Sequence, residues 1–176
     1  MRKRSILIFS IICFIVIFLF LIFNLLISPK KYKNYVVQYA EEYSLEIPLV
    51  YAIIKVESNF KKDATSPSNA MGLMQIIPST AKWIAQELSL DYNAINIYDA
   101  KTNIKFGCFY LNYLFSKFND IETVICAYNA GETIVKKWLN ENGIIDKNKI
   151  SYPETKNYLT KVKRYYQIYK NNEIGE

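Results

Sequence analysis

The chain has 176 residues, with 22 Lys and Arg against 16 Asp and Glu, 51% apolar and 15% aromatic side chains, and no histidine. It is too apolar for a disordered polymer, and the missing histidine excludes Ser-His-Asp and Cys-His nucleophile systems and every histidine metal site. Any enzyme on this chain must work with carboxylates, hydroxyls, amides, amines or thiols, and carboxylates are the first place to look.

Along the chain, Arg2, Lys3 and Arg4 precede Ile6 to Ile27, a 22-residue run without charge, interrupted only by the small polar residues Ser10 and Asn24. At ~1.5 Å per residue the run reaches about 33 Å as a helix, enough to cross a hydrocarbon core of ~30 Å. Positive residues stay on the cytoplasmic side. The expected organisation is therefore a cytoplasmic tail at 1–5, a single transmembrane anchor at 6–27, a polar stalk at 28–33 and one extracytoplasmic domain at 34–176. A cleaved signal peptide competes with this reading, but the run is longer than the usual apolar region and no small-x-small cleavage site follows it. A lipoprotein signal fits worse, since Cys13 sits mid-run behind Ile12.

Removing Arg2, Lys3 and Arg4 from the 22 basic residues leaves a surplus of three over the 16 acidic ones. That mild excess suits solvated helix faces or an anionic wall, and no basic stripe points to nucleic acid. Of the remaining cysteines, Cys108 and Cys126 lie in apolar helical contexts. They read as buried free thiols, with a disulfide between them as the alternative.

Gly and Pro are scarce and fall between periodic segments, so the domain is expected to be mostly α-helical. The periodicity predicts helices at 32–43, 48–59, 78–88, 100–118, 120–128, 131–140 and 154–170. Pro48 suits a first helical turn, and Asp99 and Asp120 suit N-caps. Asn129 with Glu132 three residues later has the form of a capping box.

One residue breaks the helical pattern. Val50, Ile53 and Ile54 form an apolar stripe, and Glu57, seven, four and three residues beyond them, falls on the same face. Desolvation disfavours the charged form, so an inward carboxyl holds its proton nearer neutral pH, as a general acid must. From periodicity alone, a structural glutamate paired with a lysine or capping a helix fits equally.

The surrounding text is more specific. Glu57-Ser58-Asn59-Phe60, then Ser66-Pro67-Ser68-Asn69-Ala70-Met71-Gly72-Leu73-Met74-Gln75, then Ala127-Tyr128-Asn129-Ala130-Gly131, then Pro153-Glu154-Thr155-Lys156-Asn157-Tyr158 together resemble the soluble lytic transglycosylase (SLT) domain family. The resemblance runs from about Lys33 to Tyr169. It implies a lysozyme-like helical fold that cleaves peptidoglycan, with Glu57 as the single catalytic acid and base. It further implies that Ser66 and Gln75 contact sugars and that Tyr128 places its hydroxyl close to the Glu57 carboxyl; Asn129 and Tyr158 are motif positions with less defined roles. Outside the resemblance, Ser66 reads as a turn residue, Gln75 as a loop amide, Asn129 as an N-cap and the tyrosines as ordinary core or surface aromatics. Two departures stand out: Asn69 where many members have Gly, and Lys156 where Arg is usual. Asn tolerates positive φ, so the turn is expected to survive, whereas Lys156 gives up a bidentate contact.

Glycosidic cleavage usually takes two carboxylates. Asp63 follows Lys61 and Lys62 in a polar loop and reads as a surface residue, leaving Glu57 as the one well-placed carboxyl. A lone acid suits substrate assistance by the 2-acetamido group of N-acetylmuramic acid, and the resemblance implies a 1,6-anhydro product. The expected protein is a membrane-anchored peptidoglycan lytic transglycosylase, single-pass in the cell membrane. A hydrolytic muramidase and a noncatalytic wall-binding scaffold are the alternatives. Its expected partners are glycan strands, the membrane and an envelope machine for conjugation, secretion or sporulation. No metal or organic cofactor is implied, because no ligand spacing is present.

Overall fold

The computed structural model describes residues 11–15, 18 and 31–172. The chain divides into two units, Met1–Lys31 and Tyr32–Glu176. In the first, residues 11–15 and 18 are helical, and Ile11, Ile12, Phe14, Ile15 and Phe18 are exposed. The tail expected at 1–5 and most of the anchor expected at 6–27 lie outside the described residues. Among the described residues, no helix is long and apolar enough to cross a membrane.

The second unit is mostly helical, as its periodicity predicts. Its helices are α1 (Lys33–Glu42), α2 (Ile47–Ser58), α3 (Pro78–Glu87), α4 (Ala100–Lys117), α5 (Ile121–Ala130), the short α6 (Glu132–Val135) and α7 (Pro153–Asn171). Pro48, Pro78 and Pro153 sit in first turns, where a missing N–H costs nothing. The Asp99 carboxylate accepts from the Thr102 amide at 2.9 Å and the Asp120 carboxylate from the Thr123 amide at 2.8 Å, so both expected caps form.

Helix α2 organises the unit. Leu49, Val50, Tyr51, Ala52, Ile53 and Ile54 are all buried, so this helix is enclosed on every side rather than along one stripe. Helix α7 lies along it with Tyr158, Leu159, Val162, Tyr166 and Tyr169 buried at three- and four-residue spacing, and also packs on α5. Burial of each large aliphatic side chain contributes ~1.5–3 kcal/mol, which makes the α2–α7 contact a main source of stability. Cys108 and Cys126 are buried free thiols, and the alternative disulfide is absent.

Two local expectations are corrected. The helix expected at 131–140 is only α6 followed by a 3₁₀ turn at Lys136–Trp138. The Asn140 side chain accepts from the Asn142 and Ile144 amides and Gly143 adopts φ 72°, closing a turn that takes the chain out of helix. Asn129 is no N-cap either. It stays inside α5, Gly131 occupies the cap position of α6, and Glu132 binds the Tyr113 hydroxyl and Lys136.

The segment from Ala64 to Ile76 is fastened by side chains of three helices. Ser58 of α2 donates its hydroxyl to the Leu73 carbonyl at 2.8 Å, and Tyr128 of α5 donates to the Met74 carbonyl at 2.8 Å. Asn103 of α4, wholly buried, accepts from the Met74 amide at 2.7 Å and donates to the Met71 and Ile97 carbonyls, each at 2.9 Å. Gly72, at φ 79°, lies so close that a Cβ there would meet the Asn103 amide nitrogen at 2.2 Å. Asn103→Ala would leave the Met74 amide and the Ile97 carbonyl without their side-chain partner, while the Met71 carbonyl keeps the Ile76 amide at 3.0 Å, so a loss of about 2 to 3 kcal/mol in denaturant unfolding is expected.

Candidate active site

Helix α2 ends at Ser58, and Asn59 and Phe60 turn the chain away with φ of 50° and 62°. Glu57 is thus carried on the last turn of the enclosed helix, and its half-buried carboxyl opens into a crevice of about 390 Å³. Asn129, Tyr158, Glu154, Asn157 and Lys161 line the same crevice. Glu154, Asn157, Tyr158 and Lys161 are spaced i, i+3, i+4 and i+7, one face of α7 turned to α2.

Burial raises the Glu57 carboxyl to about 7; the Tyr158 hydrogen bond opposes that shift and the Glu154 charge adds to it. The Tyr158 hydroxyl donates to Glu57 Oε1 at 2.6 Å. Burial, and then the neighbouring Glu57 charge, push the phenols of Tyr158 and Tyr128 well above their ordinary range, so both remain hydroxyl donors. The crevice therefore holds a carboxyl that changes protonation state near neutral pH, as acid–base catalysis requires.

The residues singled out in the sequence divide into two groups. Glu57, Asn129 and Tyr158 meet in the crevice, and Asn129 Oδ1 accepts from the Thr155 hydroxyl at 2.7 Å, joining α5 to α7. Ser66, Gln75 and Tyr128 shape the adjoining loop instead. Ser66 Oγ accepts from the Ala70 amide, and the Gln75 amide donates to the Ala64 and Gly72 carbonyls. The hydroxyl bonded to Glu57 belongs to Tyr158, not Tyr128, whose own bond goes to Met74. Asn69 takes φ 59°, the left-handed conformation expected of it in this turn. Leu73, Met74 and Ile76 pack beneath the loop, while Ile77 is exposed.

Glu154 corrects the expectation of a lone carboxyl in the site. It occupies the first turn of α7, where a glutamate ordinarily answers the helix dipole, so nothing in the local pattern marks it. Asn103 gave no signal either, being one polar residue among Lys101, Thr102 and Lys105 in the first turns of α4. Asp63 is on the surface, paired with Lys62 at 3.3 Å.

A family model described as "Transglycosylase SLT domain" matches residues 34–151. The chain belongs to this family. It is 35% identical over 152 residues to the soluble lytic murein transglycosylase of Escherichia coli, covering 81% of this chain and 23% of that protein. It is 28% identical to membrane-bound lytic murein transglycosylase C of Haemophilus ducreyi, covering 82% of this chain and 47% of the relative. The structure of an inactive Glu-to-Gln mutant of the lytic transglycosylase Slt from Pseudomonas aeruginosa superposes with a TM-score of 0.75 at 29% identity, covering 84% of this chain and 25% of that one. This SLT chain thus spans 23% to 26% of the soluble transglycosylases it matches first, and its mostly α, lysozyme-like fold is shared with them.

Two consequences follow from the Glu57 environment. Because the folded carboxyl titrates at about 7 and an unfolded one near its ordinary 4.5, the unfolded chain releases its proton first. Stability then falls as pH rises through that window, by ~3 kcal/mol at most. Glu57→Gln should therefore raise the melting temperature at pH 8 and leave it nearly unchanged at pH 4.5. Tyr158→Phe removes the bond that favours the ionised form, so the Glu57 titration, followed by carboxyl NMR, should move to higher pH.

Proposed function

We propose that this protein is a membrane-anchored lytic transglycosylase that cleaves the β-1,4 bond between N-acetylmuramic acid and N-acetylglucosamine in peptidoglycan. The observation that carries the reading is the Glu57 carboxyl, raised to about 7 by burial at the edge of an open crevice and held by the Tyr158 hydroxyl at 2.6 Å. Membership of the SLT family, and relatives named as lytic murein transglycosylases, support the same substrate.

In this reading protonated Glu57 delivers its proton to the glycosidic oxygen as the bond to the anomeric carbon breaks. The 2-acetamido oxygen of the muramyl sugar bonds to that carbon in the interval. Glu57, now a carboxylate, takes the proton from the 6-hydroxyl of the same sugar, whose oxygen displaces the acetamido group and closes the 1,6-anhydro ring. Glu57 is returned protonated and no water is consumed. Tyr158 holds the carboxyl in place throughout. Asn129, Ser66, Gln75 and Tyr128 are assigned to the sugar cleft, the first lining it and the other three fixing its wall.

Anchoring at 6–27 is supported by Arg2, Lys3 and Arg4 ahead of an uncharged apolar run, by exposed apolar side chains on the described helical residues 11–15 and 18, and by the membrane-bound relative. A domain joined to its anchor by the short segment 28–33 reaches only the innermost glycan layers, which suits local opening of the wall for an envelope machine.

Glu154 favours one second reading, a hydrolytic muramidase, because two carboxylates in one crevice are the usual equipment for attack by water. Mass spectrometry of digested sacculi separates the two: anhydro ends lighter by one water are expected, and reducing ends would assign hydrolysis. Glu57→Gln should lower the release of fragments by ~10³-fold, and near wild-type release would overturn the role given to Glu57.

A further inference from the structure

The charge of this chain is unevenly placed. Residues 147–170 hold seven of its 22 basic residues and one of its 16 acidic ones, Glu154, so this stretch accounts for the whole surplus of six. Most of it is helix α7, whose inner side is the buried row of Tyr158, Leu159, Val162, Tyr166 and Tyr169. At ~100° of turn per residue, Lys156, Thr160, Arg164 and Gln167 fall within about 80° of one another on the other side, and all four are exposed. Lys161 and Lys163 flank Arg164, one to each side. Lys163 is engaged by Glu122 and Lys170 by Glu46, whereas Lys156, Lys161 and Arg164 form no ion pair among the described residues. No acidic residue shares the outer row. Tyr152, directly ahead of the helix, is also exposed, its ring edge-on to Trp138 at 5.2 Å. An amphipathic ring of this kind sits readily at the headgroup level of a bilayer.

We propose that the outer face of α7, with Lys156, Lys161 and Arg164 as its cations and Tyr152 at its head, docks on the anionic headgroups of the lipid bilayer. The inference rests on the proposed anchoring at 6–27. Six residues of extended chain, 28–33, reach about 20 Å, so the domain works within that distance of a leaflet and phospholipid phosphate is the polyanion held closest to it. Anionic headgroups attract lysine and arginine over roughly the Debye length, ~8 Å at physiological salt, and the unpaired cations of α7 are the part of the domain that answers them. The placement bears on the crevice. The row that lines it, Glu154, Asn157, Tyr158 and Lys161, is turned roughly 100° around α7 from the docking row. With the docking row on lipid, the crevice opens sideways along the bilayer, and a glycan strand lying parallel to the membrane enters it.

The test uses the full-length chain in nanodiscs of phosphatidylglycerol and phosphatidylcholine in equal parts, and in nanodiscs of phosphatidylcholine alone, each with a nickel-chelating lipid. Cys108 and Cys126 are buried and Cys13→Ala removes the third thiol, so a nitroxide attaches at Thr160→Cys alone. A second preparation carries the label at Gln86→Cys, an exposed position of α3, which packs on α4. Relaxation of the label at 160 by headgroup nickel should be several-fold greater in the anionic discs than in the neutral ones, and high salt should abolish the difference, while the label at 86 reads the same in both. Each cation near an anionic surface favours the docked state about fivefold, so Lys156→Gln with Arg164→Gln should lower the ratio of docked to free domain roughly 25-fold. Equal relaxation at 160 in the two discs, or a difference untouched by the double variant, overturns the inference alone. A chain that enters neither disc overturns the anchoring, and the inference with it. A poly(glycerol phosphate) that draws the label off the anionic disc at a phosphate concentration below that of the lipid overturns it in favour of a phosphate polymer.

Discussion

The two peptide units around Met74 are where this domain is tied together. Ser58 of α2, Asn103 of α4 and Tyr128 of α5 all end on the amide or carbonyls of Leu73 and Met74, within 2.8 Å. Helix α2 lies more than 40 residues before α4 and α5 in the chain, and no disulfide joins the described cysteines. A loop satisfied from three directions cannot drift relative to any of them, and Ser58 is the residue after the carboxyl that matters. The position of Glu57 is therefore specified twice, by the enclosed helix that carries it and by the wall its neighbour grips.

The same arrangement explains why a carboxyl is tolerated there. An isolated buried charge would be expelled or neutralised, and here burial does keep the proton on to about 7. Tyr158 supplies one strong hydrogen bond to a single oxygen, which steadies the group in either protonation state without cancelling the effect of burial. Were a lysine its partner, the carboxyl would be held ionised and useless as a proton donor. The side chains that act on it are a phenol and another carboxylate, neither of which does that.

How much of this was legible in the sequence depends on the range over which each residue acts. The caps at Asp99 and Asp120 were readable because their partners are three residues away. Glu57 was readable twice, as an anion on an apolar face and as the first letter of a motif. The SLT blocks named both Tyr128 and Tyr158 and implied the Tyr128 hydroxyl as the one close to Glu57, whereas the hydroxyl bonded to it is that of Tyr158. That choice is made by α7 settling on α2 across 101 residues of chain. Asn103 acts through partners up to 32 residues away, and an asparagine directly after Lys101 and Thr102 in a helix's first turn announces none of them. The helix expected at 131–140 failed for the opposite reason, since a local turn around Asn140 and Gly143 overrode an adequate helical pattern.

Helix α2 has a last consequence. Its middle six residues are shielded on every side, and the left-handed pair Asn59 and Phe60 ends it directly after the residue that grips the loop. Glu57 is thus carried one turn beyond the most enclosed stretch of the domain, and the chain leaves the helix only after it. Fraying of surface turns on warming leaves such a group where it was, so thermal inactivation should coincide with collapse of the whole domain and not with an earlier, partial opening.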